Sequence, residues 1–383
     1  MTSGLRLLQV AAFTSSVDRL TIAAMLTVIA TGVGASVDEV SRAAAAYFLC
    51  YGIAQFGWAI VSDRLGRVRT MRLAMLLAAV GGLASAAAPS IDWLIAARGV
   101  TGACFAAAIP SALVYIGDTV PVRVRQAPLT DLMTSTALGI TAATVCAGAL
   151  ADFTSWRVAF ALTGVAAGVL AVLLRKLAEP DLAAPAPVGA SLRAVLGDRW
   201  GALVLMLALT EGFVLLGPLT FFPSTLQAAG LGVTLSGLLT AAYGIAVLVF
   251  ARVVKRRSRS TAPARLILIG GLLAIAAYTG LTLDQSVVPT VAACVLLGGG
   301  WAFLHSTMQT WATDVAPGAR ATAVSLFATM LFCGSALGAA VAGPLVDEGR
   351  FGLIFALALA AAVPLTIVAA TGRRRYTLRA AGS

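Results

Sequence analysis

Hydrophobic runs of about 20 residues, long enough to cross a bilayer as helices, follow one another along nearly the whole chain. Short polar breaks separate them. Backbone groups in lipid must be hydrogen-bonded within the segment, and the strict alternation of a membrane β-strand is absent from the sequence. We therefore predict an all-α membrane protein with twelve transmembrane helices. The predicted spans are residues 7–33, 41–61, 70–88, 93–116, 127–150, 156–177, 200–222, 234–254, 265–283, 287–311, 320–343 and 351–371.

The composition agrees with a membrane location. Only 11% of the 383 residues are charged and 60% are hydrophobic, whereas soluble domains average about 25% charged residues. The five cysteines all lie in apolar runs without CxxC spacing, so we expect small packing residues rather than disulfides or metal ligands. We expect no metal and no cofactor.

The distribution of basic residues predicts the orientation in the membrane. The net charge of +11 would by itself also suit nucleic-acid binding. However, most of the 27 Lys and Arg residues lie in alternate breaks, starting with Arg6, and the opposite breaks hold only Arg42, Arg157 and Arg350. This positive-inside pattern predicts that both termini are cytoplasmic, that the protein lies in a bacterial inner membrane and that nucleic acid is not a partner.

A repeat divides the chain into two halves. The long polar break at 178–199 is rich in Pro and Ala and lies near the midpoint. The sequence Tyr-Gly-Ile-Ala at 51–54 recurs at 243–246, and the small residues and aspartate of 139–152 recur at 334–347. Transporters often carry such repeats, with the substrate site between them near the membrane midplane. We predict two pseudo-symmetric six-helix bundles, at 1–177 and 200–383, joined by a cytoplasmic linker at 178–199.

The break after the second span carries a distinctive motif, Gly57-Trp-Ala-Ile-Val-Ser-Asp63-Arg64-Leu-Gly66-Arg67. It closely resembles the signature loop of the major facilitator superfamily. With the twelve spans and the half-repeat, this resemblance covers the whole chain. The loop is most typical of the twelve-helix drug:proton antiporter branch.

The fourth span adds a second motif, and two stretches depart from the family pattern. Arg98-Gly-Val-Thr-Gly102 resembles the Arg-x-x-x-Gly motif of the fourth helix. The Gly-Pro motif that the antiporter branch carries on its fifth helix is replaced by Ala143-Thr144. In the second half, the basic stretch 255–259, which ends at Arg259, replaces the loop motif.

The resemblance implies a secondary active transporter that works by alternating access, as a monomer in the lipid bilayer. The leading prediction is proton-coupled efflux of small amphipathic compounds, such as drugs or metabolites. The alternative is a proton-coupled importer of a small nutrient or organic anion. A third possibility belongs to another functional class: a non-transporting membrane receptor or a lipid-translocating protein. We predict no enzymatic activity, because the sequence contains neither a P-loop nor a nucleophile elbow.

The loop motif predicts a conformational latch. We expect the carboxylate of Asp63 to interact with the positive end of a helix and with neighbouring arginines, among them Arg64 and Arg67. Gly57 and Gly66 would permit close approach and a tight turn. The simpler alternative is a solvated turn that follows the positive-inside rule.

Three of the charged residues inside spans stand out, since a charge there is costly and indicates function. Asp18 and Glu211 occupy near-equivalent positions on the first helices of the two halves, and Arg98 lies in the fourth span. Desolvation raises the pKa of a carboxyl group and a nearby guanidinium lowers it, so carboxyl groups in a central cavity are suited to proton exchange. We predict proton coupling through Asp18 with Arg98 as counter-charge, and a second proton or cation site at Glu211. A fixed pair of Asp18 with Arg19 or Arg98 that only sets helix packing is the alternative.

The single histidine of the chain, His305, lies in the tenth span. It is a candidate for substrate contact or helix packing together with Gln309 four residues on, and also for a proton relay. Several other side chains are candidates for an apolar or anion-binding substrate pocket, although lipid-facing placement is the default for any one aromatic residue. These candidates are Arg19, Phe213, Tyr243 and Trp301.

Overall fold

A computed structural model describes residues 2–121, 123–180, 188–258 and 260–382. Residues 181–187 of the predicted linker and Arg259 of the basic stretch 255–259 lie outside the described residues. The described part is helical and contains no strand, which confirms the predicted all-α class. Between the two halves, a short helix at Val188–Leu196 follows the undescribed part of the linker.

Twelve helices of the described chain are long and apolar enough to cross a membrane, as predicted. They are α1 (Gly4–Val33), α2 (Val37–Leu65), α3 (Arg67–Ala86), α4 (Ile91–Thr119), α5 (Gln126–Phe153), α6 (Trp156–Lys176), α7 (Arg199–Ala228), α8 (Val233–Arg257), α9 (Pro263–Leu283), α10 (Val287–Val315), α11 (Pro317–Asp347) and α12 (Phe351–Leu378).

Local signals in the sequence fix where the helices begin and end. Between α1 and α2, Gly34 adopts the left-handed conformation that ends a helix. Ser36 then forms a capping box with Glu39: its hydroxyl accepts a hydrogen bond from the Glu39 N–H, and the Glu39 carboxylate accepts one from the Ser36 N–H. Because of this cap, α2 begins at Val37, four residues before the predicted span.

The helices of each half pair in the same order. In the first half, α1 packs against α5, α2 against α4, and α3 against α6. In the second half the corresponding pairs are α7 with α11, α8 with α10, and α9 with α12. The repeated sequence is therefore matched by a repeated packing scheme inside each half.

The chain divides into two compact units. The first consists of Met1–Pro185 and Leu231–Ala241, and the second of Ala186–Gly230 and Ala242–Ser383. The start of α8 belongs to the first unit because it packs against α5, where the Thr234 hydroxyl donates a hydrogen bond to Asp152 at 2.7 Å.

Three helices contain a change of helical pitch. In α1 a 3₁₀ segment covers Ile22–Met25, and in α7 another covers Pro218–Phe221. Each follows shortly after an intramembrane carboxylate, Asp18 or Glu211. In α10 a π-helical turn covers Trp301–His305. Such irregular turns occur frequently at functional sites, and interrupted helices often form the binding sites of transporters.

Glycines bring α7 and α11 into close contact within the second unit. A Cβ atom added to Gly212 would clash with the carbonyl oxygen of Leu331, and one added to Gly334 would clash with that of Leu209. The small residues Gly334 and Gly338 of α11 therefore make their close contacts with α7 of the same unit. A tight backbone-to-backbone contact of this kind leaves no room for a side chain.

We expect Gly334→Ala to lower the free energy of unfolding by about 1–3 kcal/mol, because overpacking against a backbone cannot be relieved by a side-chain movement. The matched control is Gly280→Ala in α9, where no atom lies within 4 Å of the added Cβ. That control should be neutral or stabilising, since alanine favours a helix by about 1 kcal/mol relative to glycine. Thermal unfolding of the purified proteins measures the difference, and equal stability of the two variants would contradict the close contact.

Candidate functional site

A fully buried ion pair lies at the centre of the first unit. Asp18 of α1 and Arg98 of α4 are both 0% exposed. The Arg98 guanidinium donates to both Asp18 carboxylate oxygens, at 3.2 Å from Nη1 and 2.9 Å from Nη2, and Nη2 also donates to the Asp18 backbone carbonyl at 3.0 Å. The Thr163 hydroxyl of α6 donates a further hydrogen bond to Oδ1 at 2.7 Å. The Asp18 carboxylate is therefore well satisfied by its neighbours.

Aromatic rings enclose the guanidinium of this pair. The Arg98 Cζ lies 4.5 Å from the ring centroid of Tyr47 on α2 and 4.6 Å from that of Phe160 on α6. Both distances suit cation–π attraction, which is strongest where water is excluded. Side chains from four helices thus hold the pair. The neighbouring Arg19 lies with its Cζ 5.7 Å from the ring centroid of Tyr51.

The second unit contains a different titratable pair. Glu211 of α7 is 0% exposed, and its Oε1 lies 3.2 Å from Nδ1 of His305 on α10. The two atoms are within ion-pair distance, but their alignment does not meet hydrogen-bond geometry. Among the described residues, neither carboxylate oxygen of Glu211 has a hydrogen-bond donor. A buried polar group without a partner is uncommon in native proteins and calls for an explanation.

Aromatic side chains surround the imidazole of His305. The ring stacks on Trp301 with centroids 3.9 Å apart, and Phe327 of α11 lies at 5.7 Å. Trp301 and His305 are the first and last residues of the π-helical turn, and this turn places them on one face of α10. The result is a partly apolar site with one carboxyl group and one imidazole, which can hold or exchange a proton.

The remaining predicted substrate residues differ in exposure. Tyr243 is buried, Phe213 is half-buried, and Gln309 is exposed. The backbone of Phe213 packs against Gly334 and Gly338 of α11. Of the predicted residues in the second unit, the structure brings Glu211, Trp301 and His305 together.

The loop motif between α2 and α3 forms a charged cluster inside the first unit. Arg67 forms an ion pair with Asp63, donates from Nε to Asp118 of α4 at 3.2 Å, and donates to the Ser62 hydroxyl at 3.2 Å. Arg64 is exposed, and a Cβ added to Gly57 would meet no atom within 4 Å. Asp63 thus interacts with an arginine of its own motif.

Glu179, the second residue of the predicted linker, is part of the same cluster. Its carboxylate accepts hydrogen bonds from the N–H groups of Val68 and Arg69 at 2.9 and 3.1 Å, at the start of α3. Gly66 adopts a φ of +106°, and a Cβ there would lie 2.6 Å from the Glu179 carboxyl carbon. A carboxylate at a helix N-terminus satisfies free N–H groups and favours the helix dipole. The glycine of the motif therefore makes room for a cap supplied by the linker.

The sequence profile of the Major Facilitator Superfamily matches residues 8–339 of the chain. The chain belongs to the Major Facilitator Superfamily. Members of this family are transporters, so the protein is a multi-pass membrane transporter built from apolar helices.

Solved structures of other major facilitator transporters share the fold. The structure of a bacterial homologue of the human lysosomal transporter Spinster matches with a TM-score of 0.77 at 18% identity, over 97% of this chain and 96% of that one. The D-xylose-proton symporter matches with a TM-score of 0.79 at 13% identity, over 95% and 96%. The peptide transporter POT matches with a TM-score of 0.77 at 16% identity, over 97% and 95%.

A relative of described function matches one part of the chain. The niacin transporter NiaP of Acinetobacter baylyi is 26% identical over 119 residues, which is 31% of this chain and 27% of that protein. The match thus spans about a quarter of the relative's length.

Several residues around the two buried pairs and the loop motif were not identified from the sequence. Thr163, Tyr47 and Phe160 are ordinary residues of apolar helices, and only their position around Arg98 reveals their role. Phe327 beside His305 is a similar case. Glu179 is the first acidic residue after α6. This position in the sequence does not indicate which groups its carboxylate contacts.

We expect Glu179→Ala to lower the free energy of unfolding by about 1–2 kcal/mol, because it removes a charged cap from α3. Hydrogen exchange of the Val68 and Arg69 amides should become faster in the purified protein. The control, Asp131→Ala, removes an exposed carboxylate of α5 and should leave both exchange rates unchanged. Unaltered exchange at Val68 and Arg69 in Glu179→Ala would contradict the capping role.

Proposed function

We propose that this protein is a proton-coupled transporter that exports small amphipathic compounds by alternating access. The observation that supports proton coupling is the contact between Glu211 and His305. The Glu211 carboxylate is fully buried, lies 3.2 Å from the imidazole and has no hydrogen-bond donor within the described part of the chain.

The physical argument rests on the cost of an unpaired charge. A buried carboxylate without donors is strongly disfavoured, and ionisable groups within a membrane usually mark ion or substrate pathways. One proton satisfies this pair, either on the Glu211 carboxyl group or on the His305 imidazole. A pair that holds a proton in one conformation and releases it in another links proton movement to the transport cycle.

Asp18 and Arg98 form the second element of the proposed coupling. Protonation of Asp18 would remove its charge and weaken its three hydrogen bonds, which now hold α1, α4 and α6 together. Separation of these helices would then cost less. In this proposal Asp18 controls helix packing, and Glu211 with His305 holds the exchangeable proton.

The proposal of an amphipathic substrate is supported by the side chains near this pair. Trp301 and Phe327 offer apolar surface beside the titratable groups, a combination typical of small-molecule sites. The intact loop motif, with Asp63 and Arg67 in one charged cluster, supports the efflux branch and a latch that changes between conformations.

Import of a small organic anion is the second candidate. It is favoured by the similarity of one segment to a niacin transporter, since niacin is a small carboxylate. Arg19 is the proposed anion contact in that case. The two candidates differ in the direction of substrate movement relative to protons.

We also propose that the transporter works as a monomer in a bacterial inner membrane with both termini in the cytoplasm. This orientation is supported by the distribution of arginines along the sequence.

Flux measurements on the purified protein in proteoliposomes test the proposed function. A pH gradient of either sign is imposed, and a panel of ethidium, nicotinate, D-xylose and uridine is followed in both directions. We expect ethidium, the amphipathic cation of the panel, to accumulate against its gradient when protons move the opposite way. Accumulation of nicotinate in the direction in which protons move would favour the importer. A substrate flux that is the same with and without a pH gradient would contradict proton coupling.

A further inference from the structure

A groove on the second unit lies outside the site described above. It runs between the first turns of α7 and the last part of α12, and its volume is about 520 Å³. Arg199 and Trp200 line it from α7, and Arg375 lines it from α12. Leu203 of α7 and Val368 of α12 provide its apolar lining.

The groove carries uncompensated positive charge. Arg199 and Arg375 are exposed, and no carboxylate of the described residues lies within 4.0 Å of either guanidinium. Their neighbour Arg373 differs, because it is buried and forms an ion pair with Asp314 of α10 at 2.6 Å. The two exposed arginines are therefore available to an external anion.

The floor of the groove is preformed by packed aromatic rings. Trp200 lies 6.2 Å from Trp311 and 5.6 Å from Tyr376, measured between ring centroids. Gly372 lets α12 approach these rings, because a Cβ there would lie 3.1 Å from the Trp311 ring. A packed floor lined by both charged and apolar side chains suits an amphipathic ligand.

We propose that this groove binds an anionic phospholipid of the cytoplasmic leaflet. The phosphate lies between Arg199 and Arg375, and an acyl chain runs along Leu203 and Val368. Arginine matches phosphate geometry well, and basic pockets between transmembrane helices at the cytoplasmic side bind anionic lipid head groups. The proposal rests on the orientation in which both termini are cytoplasmic.

The corresponding groove of the first unit supports the assignment to the second. It lies between α1 and α6 and has a volume of about 450 Å³. Lys176 is its charged residue among the described lining residues. One lysine cannot bind a phosphate from two sides, so we expect the lipid preference to reside in the groove between α7 and α12.

Native mass spectrometry of the full-length protein in detergent tests the site. Phosphatidylglycerol and phosphatidylcholine are titrated separately, and the measured ratio for each variant is the apparent dissociation constant of phosphatidylcholine divided by that of phosphatidylglycerol. In the double variant Arg199→Gln/Arg375→Gln this ratio should fall roughly 25-fold, since each basic residue near an anionic lipid contributes about a fivefold factor. A general loss of fold would instead weaken the binding of both lipids and leave the ratio unchanged.

The matched control, Arg256→Gln/Arg257→Gln, removes two exposed arginines from the end of α8 and should leave the ratio within about threefold. Soluble glycerol 3-phosphate is added as a competitor and should not displace phosphatidylglycerol at equal concentration. Equal losses in the two double variants, equal affinity of the wild type for the two lipids, or displacement by glycerol 3-phosphate would each overturn the proposal.

Discussion

Replacing Arg98 with leucine is expected to lower the free energy of unfolding by about 3–5 kcal/mol, because it leaves a buried charge without its partner. The Asp18 carboxylate is 0% exposed and would retain only the Thr163 hydroxyl as a side-chain donor. The Tyr47 and Phe160 rings would also lose the cation between them. Thermal or denaturant-induced unfolding of the purified protein measures the loss.

A double-mutant cycle separates the ion pair from the packing around it. The variant Asp18→Asn/Arg98→Leu removes both charges and should be clearly more stable than Arg98→Leu alone. As a control, Arg42→Gln breaks an exposed ion pair with Asp38 and should have little effect. If Arg98→Leu were as stable as the wild type, the buried pair would not hold the four helices together.

Glu211→Gln is expected to abolish accumulation driven by a pH gradient while substrate exchange at equal pH continues. A difference of about two pH units supports roughly a hundredfold concentration ratio at one proton per substrate. The amide cannot release a proton, so the variant should reach a ratio of about one under the same gradient. Radiolabelled or fluorescent substrate in proteoliposomes gives this ratio directly.

The matched control for this variant is Glu348→Gln. Glu348 is an exposed carboxylate that pairs with Arg350 at 3.0 Å. We expect the Glu348→Gln variant to accumulate substrate to the same ratio as the wild type. Accumulation by Glu211→Gln at the level of this control would show that the proton is carried by another group.

The fold was predictable because its main signal is strong and local. Each span is a run of apolar residues long enough to cross lipid, and the repeat between 139–152 and 334–347 marks the two halves. Even some helix ends were encoded nearby, since Ser36 and Glu39 have the spacing of a capping box. The pairing of Asp18 with Arg98 was also foreseeable, because a charge in lipid needs a partner and few were available.

The rest of the site depended on which way each helix face is turned, and one sequence does not give this rotation. His305 was considered mainly as a substrate or packing residue, yet it lies 3.2 Å from Glu211. The π-helical turn that begins at Trp301 shifts the face of α10 by a fraction of a turn, which a regular helical period does not anticipate. Glu179 contacts the start of α3 from more than 100 positions away in the sequence, so no local sequence pattern indicates this contact.

The most direct test of the proposed mechanism is whether substrate movement alone moves protons. Proteoliposomes are loaded with the transported compound and a pH-sensitive dye, diluted into compound-free buffer of equal pH, and followed by fluorescence. If export is coupled to proton entry, the lumen should acidify as the compound leaves, and Glu211→Gln should show outflow without acidification. Outflow from wild-type vesicles at constant lumenal pH would contradict the account.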